Sequence, residues 1–366
     1  MIAYRRDWLD AIQIRETADY WADQGLISDE REQEIVEQYP VGFYSPNWFV
    51  RIGLALFGAV IIMALEGLLF LIFDAGLGSE VALLGLVIGI GLFVVLEFGL
   101  IDKAKHYRSG LDDITLYFGI GILLFGVSQL FLEGLPFEVH LLCWCLFAGL
   151  AALRYADILL TLSAFACLVA FVMSLAQRMF GAQSALILPW INMLVAMGAY
   201  WLARKGQART ECRFWNLPLL WMEAAALALF YASGNFWVIQ VFSMEMFTIE
   251  RVPLQPLFWA LTFLIPAAYL FFGLKRKDRL MLDIGFFCVV AAIATFRYYF
   301  HVIAVEWAVT IAGALLLAIA WWSIRYLKGA QAPAAYTYAR DGRDTQIQGL
   351  QSQFIEEAFT NNPKIK

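Results

Sequence analysis

The chain has 366 residues, of which 61% are hydrophobic and 16% charged, with a mean hydropathy of +0.68 and a formal net charge of -5. A soluble domain runs nearer half apolar and a quarter charged, so this composition excludes an ordinary soluble fold and points to an all-helical, polytopic membrane protein. The small net charge gives no basis for nucleic-acid binding, and the lipid bilayer is the expected surrounding.

Residues 1–47 read as a cytoplasmic cap of two short helices. The first carries Trp8, Ile12 and Trp21 among many charges and stops at Gly25. Ser28 can N-cap the second, which has Asp29 and Glu30 in its first turn and Ile35, Val36 and Tyr39 on one side. Pro40 and Pro46 close the region. No cleavable signal peptide is expected, because the first apolar run begins only near residue 49.

Ten apolar spans follow in a membrane domain over 48–328, at 50–73, 81–101, 116–132, 139–153, 158–175, 186–202, 217–234, 257–274, 281–300 and 304–326. Alternate loops collect 15 Lys and Arg residues, from Arg51 through the Arg204–Arg213 and Lys275–Arg279 clusters to Lys328. The opposite loops hold only Arg178 and Arg251. Basic loops stay in the cytoplasm, so both termini are expected there. Between the seventh and eighth spans, residues 235–255 mix Phe236, Trp237, Phe242, Met244, Met246 and Phe247 with Gln240, Glu245 and Glu250. That pattern suits a segment lying along the outer interface or folded back over the bundle, where it could act as a lid. After a linker from residue 329, Ile347, Leu350, Phe354, Ile355 and Phe359 show helical spacing in the 329–366 tail. A short amphipathic helix is expected, docking on the membrane, the cap or a protein partner.

Motifs for enzyme chemistry are missing: the sequence has no phosphate loop, no GxSxG, no HExxH and no CxxC pair. The five cysteines form no metal or disulfide framework, and no cofactor is implied. The informative residues are polar groups at membrane depth. By helical rise Glu97 lies about 6 Å and Glu223 about 9 Å from the inner ends of their spans, where interfacial placement or local pairing is expected. Asp283, at the inner end of its helix, is expected to cap it or to pair with Lys277 or Arg279. Glu66 lies about 24 Å from the inner end, too deep for a short carboxylate to reach the headgroups. It shares a face with Ala55, Gly58, Ala59 and Ile62, so it is expected to point into the bundle, paired, protonated or facing a wet cavity. Arg297 sits at a similar level with His301 on its face, and either snorkels outward or pairs with Glu66. Gln129 and Asn192 are the expected neighbours.

The segment Gly25-Leu26-Ile27-Ser28-Asp29-Glu30 before the first span, the many short spans, and a penultimate helix ending in Arg297-Tyr298-Tyr299-Phe300 with Gly313-Ala314-Leu315-Leu316-Leu317 in the last resemble an uncharacterised bacterial membrane-protein family, domain of unknown function 2157 and its relatives. The likeness covers both ends of the membrane block. It implies a polytopic inner-membrane protein and supplies no catalytic or binding residues. The first functional expectation is a non-enzymatic sensing, scaffolding or regulatory role through the cytoplasmic ends. The second is a secondary transporter with Glu66 and Arg297 lining the path, and the third an enzyme acting on a lipid-linked substrate.

Overall fold

The computed structural model describes residues 2–23, 27–73, 79–247, 249 and 252–300, with Gly313, Ala314, Leu317, Ala318, Trp321 and Arg325 beyond them. Among the described residues every regular element is helical, and nine helices are long and apolar enough to cross a membrane. This is an all-α, polytopic membrane protein. The expected tenth span (304–326) and the amphipathic tail helix lie outside the described residues. The chain falls into two compact units, Met1–Leu168 and Val169–Lys366, the first of which includes the cap. The division follows from chain order: helices adjacent in sequence make the main packing pairs, as short connections between antiparallel spans favour.

In the first unit the cap consists of α1 (Arg6–Asp23) and α2 (Asp29–Gln38). Ser28 N-caps α2 by accepting from Arg31 N–H at 3.3 Å. At its other end Arg15, from α1, donates to the carbonyls of Val36 (2.7 Å) and Tyr39 (2.8 Å), which a helix end would otherwise leave unsatisfied. The inward face of α1 is Leu9, Ile14 and Ala18; Trp8, Ile12 and Trp21 are only half-buried.

Four spans of this unit are α3 (Trp48–Ile72), α4 (Ser79–Val94, continuing as a π-helical segment, Val95–Lys103), α5 (Leu111–Phe131) and α6 (Phe137–Tyr155). The fifth, α7 (Ile158–Phe180), runs across the boundary of the two units. Helix α5 begins five residues before the apolar window expected at 116, because Asp112 and Asp113 in its first turn both find partners. Close backbone approach between α4 and α5 depends on glycine. A Cβ on Gly89 would lie 2.7 Å from Leu123 N, and one on Gly126 only 2.6 Å from Leu86 N. Lipid supplies no hydrophobic drive between helices, so such small-residue contacts carry the packing. Ile62 of α3, with Ile88 and Leu92 of α4, completes the local core.

The second unit contains α8 (Ser184–Gln207), a 3-10 turn (Thr210–Trp215), α9 (Asn216–Ala232), the short α10 (Phe236–Phe247), α11 (Gln255–Arg276) and α12 (Arg279–Tyr299). Its core joins Met193, Leu227, Tyr231, Ile265, Tyr269, Met281 and Cys288. The turn into α10 is held by buried Asn235, which donates to Tyr231 Oη (2.8 Å) and Thr295 Oγ1 (3.0 Å), while Phe236 N–H donates to Thr262 Oγ1 (2.9 Å). The 235–255 segment therefore includes a helix, with Phe236, Ile239 and Ser243 turned inward and Trp237, Met244 and Met246 exposed.

Gly126→Ala should force α4 and α5 apart and destabilise the detergent-solubilised protein by about 1–3 kcal/mol, the usual penalty of overpacking. Gly91→Ala, which meets nothing within 4 Å, should leave the melting temperature unchanged.

Candidate functional site

Each unit gathers charged residues near one end of its helices, and each cluster is built differently. In the first unit, Glu97 lies in the π-helical segment and receives a two-pronged bond from Arg154, Nε to Oε1 at 3.0 Å and Nη2 to Oε2 at 2.8 Å. Tyr155 Oη donates to the same carboxylate at 2.7 Å. Bidentate guanidinium–carboxylate pairing is the strongest ordinary ion-pair geometry, and here it ties α6 to the end of α4.

The cap is attached around this pair. Ala3 N–H donates to the carbonyl of Arg154 at 2.8 Å, and Tyr44 pairs with the 104–110 loop through Tyr44 N to Lys105 O (2.9 Å) and Tyr107 N to Tyr44 O (3.2 Å). Tyr4, Trp8, Phe43 and Tyr107 form an aromatic core between cap and loop, with Phe43 stacked on Tyr107 at 5.0 Å. Below it Asp112 accepts from Ser109 N–H (2.8 Å) and Ser109 Oγ (2.9 Å), which closes the start of α5, and from Tyr4 Oη at 3.4 Å. Burial, then Asp112 and Asp113, hold the Tyr4 phenol well above its usual range, so it stays a neutral donor. Gly110, at φ 91°, precedes α5 with no room for a side chain: a Cβ there would lie 2.1 Å from Arg51 O. Arg51 donates to Asp113 Oδ2 through Nε (3.0 Å) and Nη2 (2.6 Å), and Tyr117 Oη donates to Asp157 Oδ2 at 2.9 Å.

His106 Nδ1 lies 2.7 Å from Ser109 Oγ, which raises the question of nucleophilic chemistry. The order of the groups answers it. A serine nucleophile must donate to its histidine; Ser109 donates to Asp112 and is fully buried. The trio is a structural network.

In the second unit, buried Glu223 of α9 accepts from Gln207 Nε2 at 3.0 Å, and its Oε1 lies 3.6 Å from Arg204 Nη1. Arg204 also donates to Tyr200 Oη at 3.0 Å and, at close range, to Asp278 Oδ2. Asp278 is buried and N-caps α12 through Oδ1, which accepts from Met281 N–H at 2.9 Å. One guanidinium on α8 thus meets a carboxylate from α9 and another from the α11–α12 corner. Of the two roles expected of Asp283, the cap belongs to Asp278 and the pairing with Arg279 forms, exposed, at 3.7 Å.

The deeper candidates are divided between the two units. Glu66 is half-buried on the Gly58–Ile62 face, which packs toward α4 and α5, and its Oε1 is buried without a hydrogen-bond partner among the described residues. Gln129 is exposed, because the inward polar residue at that level is its neighbour Ser128, which accepts from Trp144 Nε1 at 2.9 Å. Glu66 and Gln129 belong to the first unit. Asn192, buried, and Arg297, half-buried among the aromatics at the end of α12, belong to the second. His301 lies outside the described residues. Sequence reasoning missed Arg204 and Asp278, which sit inside basic loops and read there only as topology signals. An aspartate immediately before an apolar run, as Asp278 stands before α12, was the signal for a cap.

Among the described residues no group of histidine, cysteine or acidic side chains could hold a metal ion, and the five cysteines are free. Comparison with protein-family models, with curated proteins and with solved structures finds no match to this chain.

Removing Arg204 leaves two buried carboxylates without their shared cation. Arg204→Met should lower stability by about 3–5 kcal/mol, read as loss of folded protein in a detergent melt. Asp278→Asn, which keeps a capping oxygen, should cost less, and an equal loss in the two variants would contradict the shared-cation geometry.

Proposed function

We propose that this is a bacterial inner-membrane protein with both termini in the cytoplasm, acting without catalysis as a sensing, scaffolding or regulatory protein through its cytoplasmic ends. The observation that carries this reading is the attachment of the cap. Main-chain bonds from Ala3 and Tyr44, an aromatic core, and the Tyr4–Asp112 contact join it to the 104–110 loop and to the end of α6. A module bound at several points moves with the helices it touches, so a change in either is transmitted to the other. The outer side of α2, with Asp29, Glu30, Glu34 and Glu37 exposed, gives the cap an acidic face for a cytoplasmic protein partner. The basic loops around the cap support the cytoplasmic placement, and the terminal motifs support kinship with the uncharacterised family of inner-membrane proteins that they resemble.

A second reading has its own observation. Glu66, at membrane depth with a buried and unbonded oxygen, suits a proton or solute path, which makes secondary transport the alternative.

A Gly42→Val variant tests the first reading. A Cβ at Gly42 would lie 2.5 Å from the Trp8 ring, so the substitution should loosen the cap and raise protease cleavage within residues 2–40 while leaving the spans intact. A photo-crosslinker placed at exposed Gln33 should then lose its adducts in cells, and proteoliposomes of the native protein should show no ion-driven solute uptake. Uptake that survives Gly42→Val and vanishes in Glu66→Gln would replace the scaffold reading with transport.

A further inference from the structure

The basic residues of the two units differ in what surrounds them. In the first, Arg51 bonds Asp113, Arg154 bonds Glu97, Lys105 lies over the Trp8 ring and Arg108 over Tyr107. Each is drawn onto the cap or the helix ends beneath it. In the second unit Lys205, Arg209, Lys275, Arg276 and Lys277 are exposed and Arg213 is half-exposed. The Arg204–Asp278 bond brings their two stretches of chain to the same end of the unit, since Lys205 directly follows one partner and Lys277 directly precedes the other. The 3-10 turn carrying Arg213 follows directly on α8, whose end is closed by Arg209 N–H donating to Gly206 O at 3.0 Å.

Depth is set by aromatic rings. Lys205 Nζ lies 4.6 Å from the centroid of Trp201, and the Arg276 guanidinium 5.6 Å from that of Phe272. Trp201 is 57% exposed and Phe272 42%, and both stand on membrane-spanning helices, α8 and α11. Rings on the outer surface of a span, one to two turns from its end, lie at the boundary between hydrocarbon and headgroups. A cation held over such a ring is fixed where lipid phosphates lie, with less freedom to lose on binding one.

We propose that this basic end of the second unit is a binding site for anionic phospholipid headgroups, with Lys205 and Arg276 as its phosphate contacts and Trp201 and Phe272 as the rings that hold them. Lysine supplies a point charge, and arginine a planar fork matched to two phosphate oxygens. Arg209, Arg213, Lys275 and Lys277 add the field that selects an anionic over a zwitterionic headgroup; the exposed acids at this end are Glu211 and Asp283, the latter paired with Arg279. The site needs only that the helices span a membrane; it is independent of the role assigned to the cap.

The test is retention of phosphatidylglycerol against phosphatidylethanolamine by the purified full-length protein, counted by native mass spectrometry. The native protein should retain phosphatidylglycerol preferentially, and Lys205→Gln with Arg276→Gln should weaken that retention by about fivefold per charge removed, leaving phosphatidylethanolamine unchanged. Lys103→Gln in the first unit should change nothing. Because basic loops also orient insertion, Trp201→Leu provides a variant that keeps every charge, and it should weaken retention severalfold while the protein inserts normally. Equal retention of the two lipids by the native protein, or full retention in the double variant, would overturn the proposal. So would displacement of the lipid by millimolar inorganic phosphate, which would make the site one for the free anion.

Discussion

A charge taken out of water needs an opposite charge at hydrogen-bond distance, and the packing of the second unit is organised around one such requirement. Arg204, on the last turn of α8, meets Glu223 from α9 and Asp278 from the corner between α11 and α12. The two acids are buried, so the guanidinium cannot leave without stranding them. Three separate stretches of chain are thereby held at one level, and the apolar core around Tyr269 and Cys288 is assembled against a fixed end. The first unit meets the same requirement with Arg154 and Glu97, but spreads the load through Tyr155, the cap and the loop before α5.

These pairs lie near helix ends rather than at mid-span, and the physical reason is the gradient of solvation across a bilayer. Arg204 and Arg154 keep part of their side chains exposed (28% and 41%), so each remains solvated on one side while Arg204's partners are enclosed and Glu97 is half-buried. Lipid-facing surfaces further along the same helices are apolar, with glycines where backbones touch. Electrostatics therefore registers the helices at their ends, and close packing holds them through the membrane.

Much of the fold was legible because hydropathy depends on composition, which survives without knowledge of neighbours. Nine of the expected spans coincide with observed helices, and Ser28 caps α2 as its position before Asp29 and Glu30 implies. Boundaries were less legible. Asp112 and Asp113 ended the apolar window for α5, yet both are inside the helix because Ser109 and Arg51 satisfy them. The division into two units depends on which helices pack together, and hydropathy carries no information about that. The site was legible in its acids and not in their partners. Depth alone marked Glu97 and Glu223 for interfacial placement or local pairing, whereas Arg204 and Asp278 are indistinguishable in sequence from the other charges of a basic loop. Gln129 failed by one position: a helix turns about 100° per residue, so its neighbour Ser128 took the inward face.

Glu66 stands apart from all of these. Every other buried carboxylate described above has a cation, a phenol or an amide against it, whereas Glu66 sits beside Ile62 on an apolar face with Oε1 buried and no hydrogen bond to it among the described residues. A carboxylate kept only for packing would be replaced without loss by leucine or glutamine of similar volume, since an unbonded buried oxygen destabilises the fold that contains it. At membrane depth a carboxyl group in that position can pair, hold a proton or face a wet cavity. Glu66 is therefore the residue at which a structural and a transporting reading of this protein divide, and the charged clusters at the helix ends, which serve both readings equally, do not separate them.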